Sequence, residues 1–390
     1  MIVLSWDGTR WDYPDRTELP ALDRVAREGV RAERMIPVFP ASTFPNHVSL
    51  ATGTYVDRHG IVANRFRDTE RGRYSYSDDA SWIEAEPVWV TAERQGVRAA
   101  SFFWVGAQTD WNGVGATHRV TPFSSGTPES KKVDQILDWL DLPEPERPHL
   151  ILSWWHGADS VGHRYGPDHA RVARALAGQD AELARLLRGL DQREAWPHTT
   201  LLIVSDHGMA AVKGGVSVLP PLEARDIGAR VVRGGGCGWI TLDDPARLSE
   251  ALQILNAVDG LSAYPSAELP AGLRAYHARR TGHITVISDP PRAVAKPLGL
   301  SARVYLAAKR LFGGATGMHG YPPDNPDMHA VFFAMGRGIP SDLSLGPVRT
   351  IDVAPTLTHL LGISPPRNAE GTPIPGIGAD KQAHPRIERE

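Results

Sequence analysis

Residues 201–208 read Leu201-Leu-Ile-Val-Ser-Asp206-His207-Gly208. The apolar run is too short for a helix and too uniform for a strand with one wet face, so it predicts a strand buried on both sides. It runs out onto an acid, an imidazole and a glycine. The first residues repeat the arrangement, with Ile2-Val-Leu-Ser-Trp6 running straight into Asp7. A third copy, His149-Leu-Ile-Leu-Ser-Trp154, leads through Trp155 into His156-Gly-Ala-Asp159-Ser-Val-Gly-His163. Apolar runs at Ala99–Trp104 and Ala330–Met335 complete five expected strands.

Helical patterns lie between these runs. Leu22, Val25 and Ala26 repeat at helical spacing between Pro20 and Gly29. Val172, Leu176, Leu183, Leu186, Leu187 and Leu190 form a core-packing stripe on a longer helix, and Asp352 starts another that stops at Gly362. Alternating strands and helices define an α/β fold with a mostly parallel central sheet flanked by helices. The texture changes over 211–317, where Gly-rich 233–238 leads a strand, Leu248–Val258 reads as helix and Pro-rich turns follow. That stretch predicts a smaller inserted lobe, leaving 1–210 and 318–375 as the α/β core and 376–390 as a loose polar tail.

Composition narrows the function classes. Lys and Arg number 42 against 45 Asp and Glu, a net charge of −3, and no basic run is present; stable nucleic-acid binding is not expected. No apolar stretch reaches the roughly 18 residues of a membrane span. The single cysteine, Cys237, excludes an intrachain disulfide. Residues 1–6 read as a strand, with no secretory signal, so the expected compartment is the cytoplasm; a periplasmic or secreted protein is the alternative if a signal has been removed.

In open α/β sheets, ligands bind beyond the carboxyl ends of the strands. One Asp at such an edge is commonly a helix cap, but Asp7, Asp159 and Asp206 together, with His163 and His207, are hard to explain as caps. Mixed Asp and His ligands suit Zn²⁺ or a similar first-row ion, and three carboxylates offset most of the charge on two divalent cations. A two-metal centre is therefore expected, with His319 in Gly317-Met-His-Gly-Tyr321 as a further candidate. In Phe39-Pro-Ala-Ser-Thr43-Phe-Pro-Asn-His-Val-Ser-Leu-Ala-Thr-Gly53, a helix is expected to start with Thr43 at its N-cap. Its hydroxyl is either a cap or a nucleophile at the positive end of the helix dipole. The residues alone leave both readings open.

These segments resemble the nucleotide pyrophosphatase/phosphodiesterase (type I phosphodiesterase) family of the alkaline phosphatase superfamily. The resemblance rests on Thr43-Phe-Pro-Asn-His through Thr52-Gly53, His59-Gly-Ile-Val-Ala-Asn64, Glu86-Pro-Val-Trp-Val-Thr-Ala, Phe102-Phe-Trp104, Asp159-x-x-Gly-His163-x-x-Gly-Pro167, Ser205-Asp-His-Gly-Met209 and Gly317-x-His-Gly-Tyr321, in the family's order from Asp7 to about Gly362. It implies an alkaline-phosphatase-like fold with one metal held by Asp159, His163 and His319. The other would be held by Asp7, Asp206 and His207, with Thr43 completing it. It further implies Thr43 as a nucleophile forming a covalent threonyl intermediate, and Asn64 as the donor to a non-bridging phosphate oxygen. Phe44, Trp104 and Phe123 would line the substrate.

The substrate class implied is a small phosphodiester or nucleotide, cleaved to release a nucleoside monophosphate. The alternatives are choline-type or lipid phosphodiesters, a phosphonate, or a binding protein that has lost turnover. Two departures stand out. Where the family often carries acids before the Asp159 position, this chain has Trp155-His156-Gly157-Ala158, and His156 is expected either beside the metals or in packing. No Cys-x-Pro-x-Arg segment is present, which excludes the sulfatase branch.

Overall fold

Apolar residues on both sides of a strand demand cover on both sides, and the chain supplies it. In the computed structural model, which describes residues 1–295, 316–341 and 343–378, Ile2–Trp6, Ala99–Phe102 and Thr200–Val204 are strands buried at every position. With Leu150–Trp155 and Phe332–Gly336 they account for the five expected strands. Three more, Val30–Ala32, His118–Val120 and Leu343–Leu345, have only three residues each, too few to leave a pattern in the sequence.

The eight strands form one sheet in the order 343–345, 30–32, 332–336, 200–204, 2–6, 150–155, 99–102, 118–120. Pairing is parallel except around Phe332–Gly336, which runs antiparallel to both neighbours. Side chains alternate across the strands. Ile2, Leu4 and Trp6 face a layer made by helices Pro20–Glu28, Glu129–Leu140 and Ala170–Gln192. Val3, Leu152 and Leu202 face the layer that contains Thr43–Thr52, Val88–Arg94 and Val353–Leu361.

Register is what matters for the site. Ile2 lies opposite Ile151 on one side and Leu201 on the other, so the three strands end level. Residues following Trp6, Trp155 and Val204 therefore emerge together at one edge.

The chain leaves this core through Ala210–Val212, which pairs antiparallel with the returning Thr316–Met318. Between them, Ala229–Arg233, Cys237–Leu242, Ile284–Ser288 and Leu261–Pro265 form a separate antiparallel sheet with its own apolar cluster, including Ile240, Leu255 and Val286. A buried Arg280 ties this part to the core, donating to Asp68 Oδ2 (2.8 Å), Gly60 O (2.7 Å) and Glu84 Oε1 (2.6 Å). Of the expected loose tail, Ile377 is buried in the main core, and residues 379–390 lie outside those described. Among the described residues no helix is long and apolar enough to cross a membrane.

Candidate active site

Level strand ends bring the predicted ligands together in two groups. Asp159, His163 and His319 form one; Asp7, Asp206 and His207 form the other, and within each group the ligand atoms lie within 4.8 Å of one another. Asp7 extends the first strand, its N–H donating to Trp155 O (3.1 Å), and its carbonyl accepts from Ala158 and Asp159 at the start of helix Asp159–Tyr165. This crossing is so close that a Cβ on Gly157 (φ +58°) would sit 1.8 Å from Asp7 O, which only glycine permits. Four residues along that helix, His163 comes round to the same side, with Nε2 3.2 Å from Asp159 Oδ1. His319 follows the returning strand Thr316–Met318, and its ring stacks on His207 at 3.9 Å.

The ring nitrogens are assigned by their partners. Nδ1 of His163, His207 and His319 each meets a backbone carbonyl, of Gly317, Gly208 and Ala41 respectively, at 2.8–3.0 Å. A carbonyl only accepts, so each Nδ1 carries a proton and Nε2 is the nitrogen left to ligate. The carboxylates match. Among the described residues Asp7 Oδ1, Asp159 Oδ1 and Asp206 Oδ2 are buried with no hydrogen-bond donor, although Trp154 Nε1 donates to Asp7 Oδ2 (2.8 Å) and Gly8 N to Asp206 Oδ1 (3.0 Å). One orphaned oxygen on each of three acids is costly in a protein interior and is what a cation relieves. The donor set therefore fits two divalent ions.

The electrostatics agree. Burial, then the charges of Asp206 and Asp159, push the Asp7 carboxyl well above the usual range. His319 is pushed well below its ordinary value by burial and by His207 and His163, which keeps its imidazole neutral and ready to ligate.

Thr43 is the first residue of helix Thr43–Thr52 and Ser42 is the N-cap, with no side-chain cap bond. This corrects the expected N-cap position and removes the capping reading: the Thr43 hydroxyl lies 3.3 Å from His207 Nε2, turned toward the ligands. Asn64 Oδ1 accepts from Phe44 N (2.9 Å), which fixes the amide beside the hydroxyl with its NH₂ available to an incoming anion. His47, on the same helix, is occupied at both nitrogens, by Thr43 O and Ser5 Oγ (each 2.8 Å), and braces the helix without binding metal.

The aromatic candidates divide. Phe44 is half-buried, and Phe123 is 47% exposed with its ring on Trp154 and Phe103. Trp104 is corrected: it is only 1% exposed, its indole donates to His47 O (3.3 Å) and its edge meets the His47 ring. It supports helix Thr43–Thr52 from below and offers no face to a substrate. Two rings went unnoticed in the sequence. Trp154, whose place at a strand's carboxyl end was a usable signal, reaches Asp7. Tyr76 carried no signal; it is 50% exposed at φ +47° and packs edge-on against Phe44 at 5.2 Å. His156 does not approach the metal groups; it bonds Glu129 Oε1 (2.6 Å) and Ser125 O (2.7 Å).

Comparison with known proteins places the chain in a family. The family model for type I phosphodiesterase / nucleotide pyrophosphatase matches residues 1–322. An uncharacterized pyrophosphatase/phosphodiesterase of Schizosaccharomyces pombe is 30% identical over 93% of this chain and 77% of its own. A bis(5'-adenosyl)-triphosphatase of Xenopus laevis is 28% identical over 93% and 78%. The structure of human ectonucleotide pyrophosphatase/phosphodiesterase 5 superposes with a TM-score of 0.82 at 26% identity, over 94% of this chain and 95% of that one. The fold is that of a hydrolase with an alkaline-phosphatase-like architecture. The chain belongs to the type I phosphodiesterase / nucleotide pyrophosphatase family.

Proposed function

We propose that this protein hydrolyses nucleotide phosphodiester or phosphoanhydride bonds, with Thr43 as nucleophile and zinc in both ligand groups. The observation that carries the reading is the Thr43 hydroxyl at a helix start, 3.3 Å from His207 Nε2 and facing two groups of unsatisfied ligand atoms. Two divalent ions bound there would supply the positive charge that ionises the hydroxyl and offsets charge on the phosphoryl oxygens. Asp/His donor sets with neutral imidazoles favour zinc over magnesium or calcium.

Thr43 Oγ attacks phosphorus as the bond to the leaving oxygen breaks, and that oxygen departs with a proton. Water then attacks the threonyl phosphodiester, releasing the nucleoside monophosphate and returning the hydroxyl. Asn64 donates to a phosphoryl oxygen as charge builds on it. The half-buried Phe44 and exposed Phe123 rings support a flat base on the retained side. The activity named for the Xenopus relative supports the same substrate class. Hydrolysis of a nucleotide aryl diester compared with an aryl phosphocholine tests the assignment. A large preference for the nucleotide is expected, and a large preference for the phosphocholine would overturn it.

A further inference from the structure

Behind Asp7 lies a charged cluster that the reaction does not use directly. Lys132 is fully buried on helix Glu129–Leu140, and among the described residues its ion pair is with Glu129 at 3.4 Å. Its ammonium sits 4.6 Å over the ring of Trp154, the residue whose indole N–H donates to Asp7 Oδ2. Glu129 in turn accepts from the backbone N–H (2.9 Å) and Nδ1 (2.6 Å) of His156, whose ring packs on Trp154 at 4.8 Å. The remaining His156 nitrogen bonds Ser125 O in the loop that carries Phe123.

A buried lysine with one long ion pair is a poor device for stability, because desolvating the ammonium costs more than such a pair returns. Burial brings the Lys132 ammonium down to about 8 even with Glu129 beside it. An apolar side chain of similar length would pack there at lower cost. What the cation does provide is attraction to an indole face, strongest where water is excluded. That attraction acts on the same indole whose N–H meets Asp7.

We propose that Lys132, seated by Glu129 and His156, is a positioning residue: it clamps Trp154 so that the indole occupies Asp7 Oδ2 and leaves Oδ1 for the metal. The inference rests on the reading of Asp7 as a metal ligand. It makes the departure at Trp155-His156-Gly157-Ala158 part of the site's support.

The test is Lys132→Met, made in the wild-type and Trp154→Phe backgrounds and read three ways. Zinc affinity of the metal-stripped protein, by chelator competition, is expected to fall about 10- to 100-fold at one of two sites, the usual range for loss of a ligand's supporting bond. kcat should fall similarly with KM little changed, and the melting temperature of the metal-free protein should stay level or rise. In the Trp154→Phe background the lysine substitution should cost much less, because only its through-space charge interaction with Asp7 is left to lose. Unchanged zinc affinity, an equal loss in both backgrounds, or a melting temperature that falls with activity would each overturn the proposal. Should the wild-type protein bind no zinc at all, the metal reading itself fails, which separates the two outcomes.

Discussion

Thr43 shows how far a single residue can be read. As a hydroxyl ahead of a helix it was indistinguishable from a cap until the structure gave the cap position to Ser42 and turned Thr43 toward His207. The three acids of the candidate ligand groups were legible because an acid after a fully apolar strand has only one edge at which to emerge; His319 was legible only through its motif. Trp104 was not, because a motif gives a residue's place in the chain but not the side of a helix on which its ring lies. Trp154's bond to Asp7 spans 147 positions and leaves no local trace. The residue-scale prediction is that Thr43→Ala lowers kcat by several orders of magnitude while retaining the wild-type complement of zinc, measured by elemental analysis. Chelation should abolish activity in the wild type. Full activity in Thr43→Ala would remove the covalent route.

Among the elements, the long buried strands and the striped helix Ala170–Gln192 were visible because burial writes its own period into the sequence. The reversed direction of Phe332–Gly336 was not, since an apolar run reads the same whichever way the strand points. The Arg280 lock was equally hidden: its partners Asp68 and Glu84 lie about 200 positions away. Arg280→Ala leaves the buried Asp68 with only the longer Arg279 contact (3.6 Å) and should lower the unfolding free energy by about 3 kcal/mol, as for other broken buried pairs. Burial would raise the Asp68 carboxyl, but hydrogen bonds from Arg280 and from the Glu70 and Arg71 amides hold it at about 2. A depressed carboxyl contributes its stability above its unfolded value of about 3.9 and loses it as pH falls through the folded one. The gap between wild type and Arg280→Ala in urea midpoint should therefore be constant near neutrality and close between about pH 4 and pH 2. A gap that persists unchanged at pH 2 would show that the lock does not depend on the Asp68 charge.

At the scale of the whole molecule, three strands ending level turn local acid–histidine segments into one centre, and the chain closes it by returning through Thr316–Met318 with His319. The order of these pieces was readable in advance; the geometry that joins them across 300 residues was not. The proposed covalent route has one chemical consequence that no single-displacement hydrolase shares. On that route attack by Thr43 would invert phosphorus, and attack by water on the threonyl ester would invert it again. Hydrolysis of a nucleotide diester made chiral at phosphorus, run in isotopically labelled water and followed by NMR, measures the sum of these steps directly. Overall retention of configuration is the expected result; inversion would mean that water attacks the substrate in one step and that Thr43 is no nucleophile.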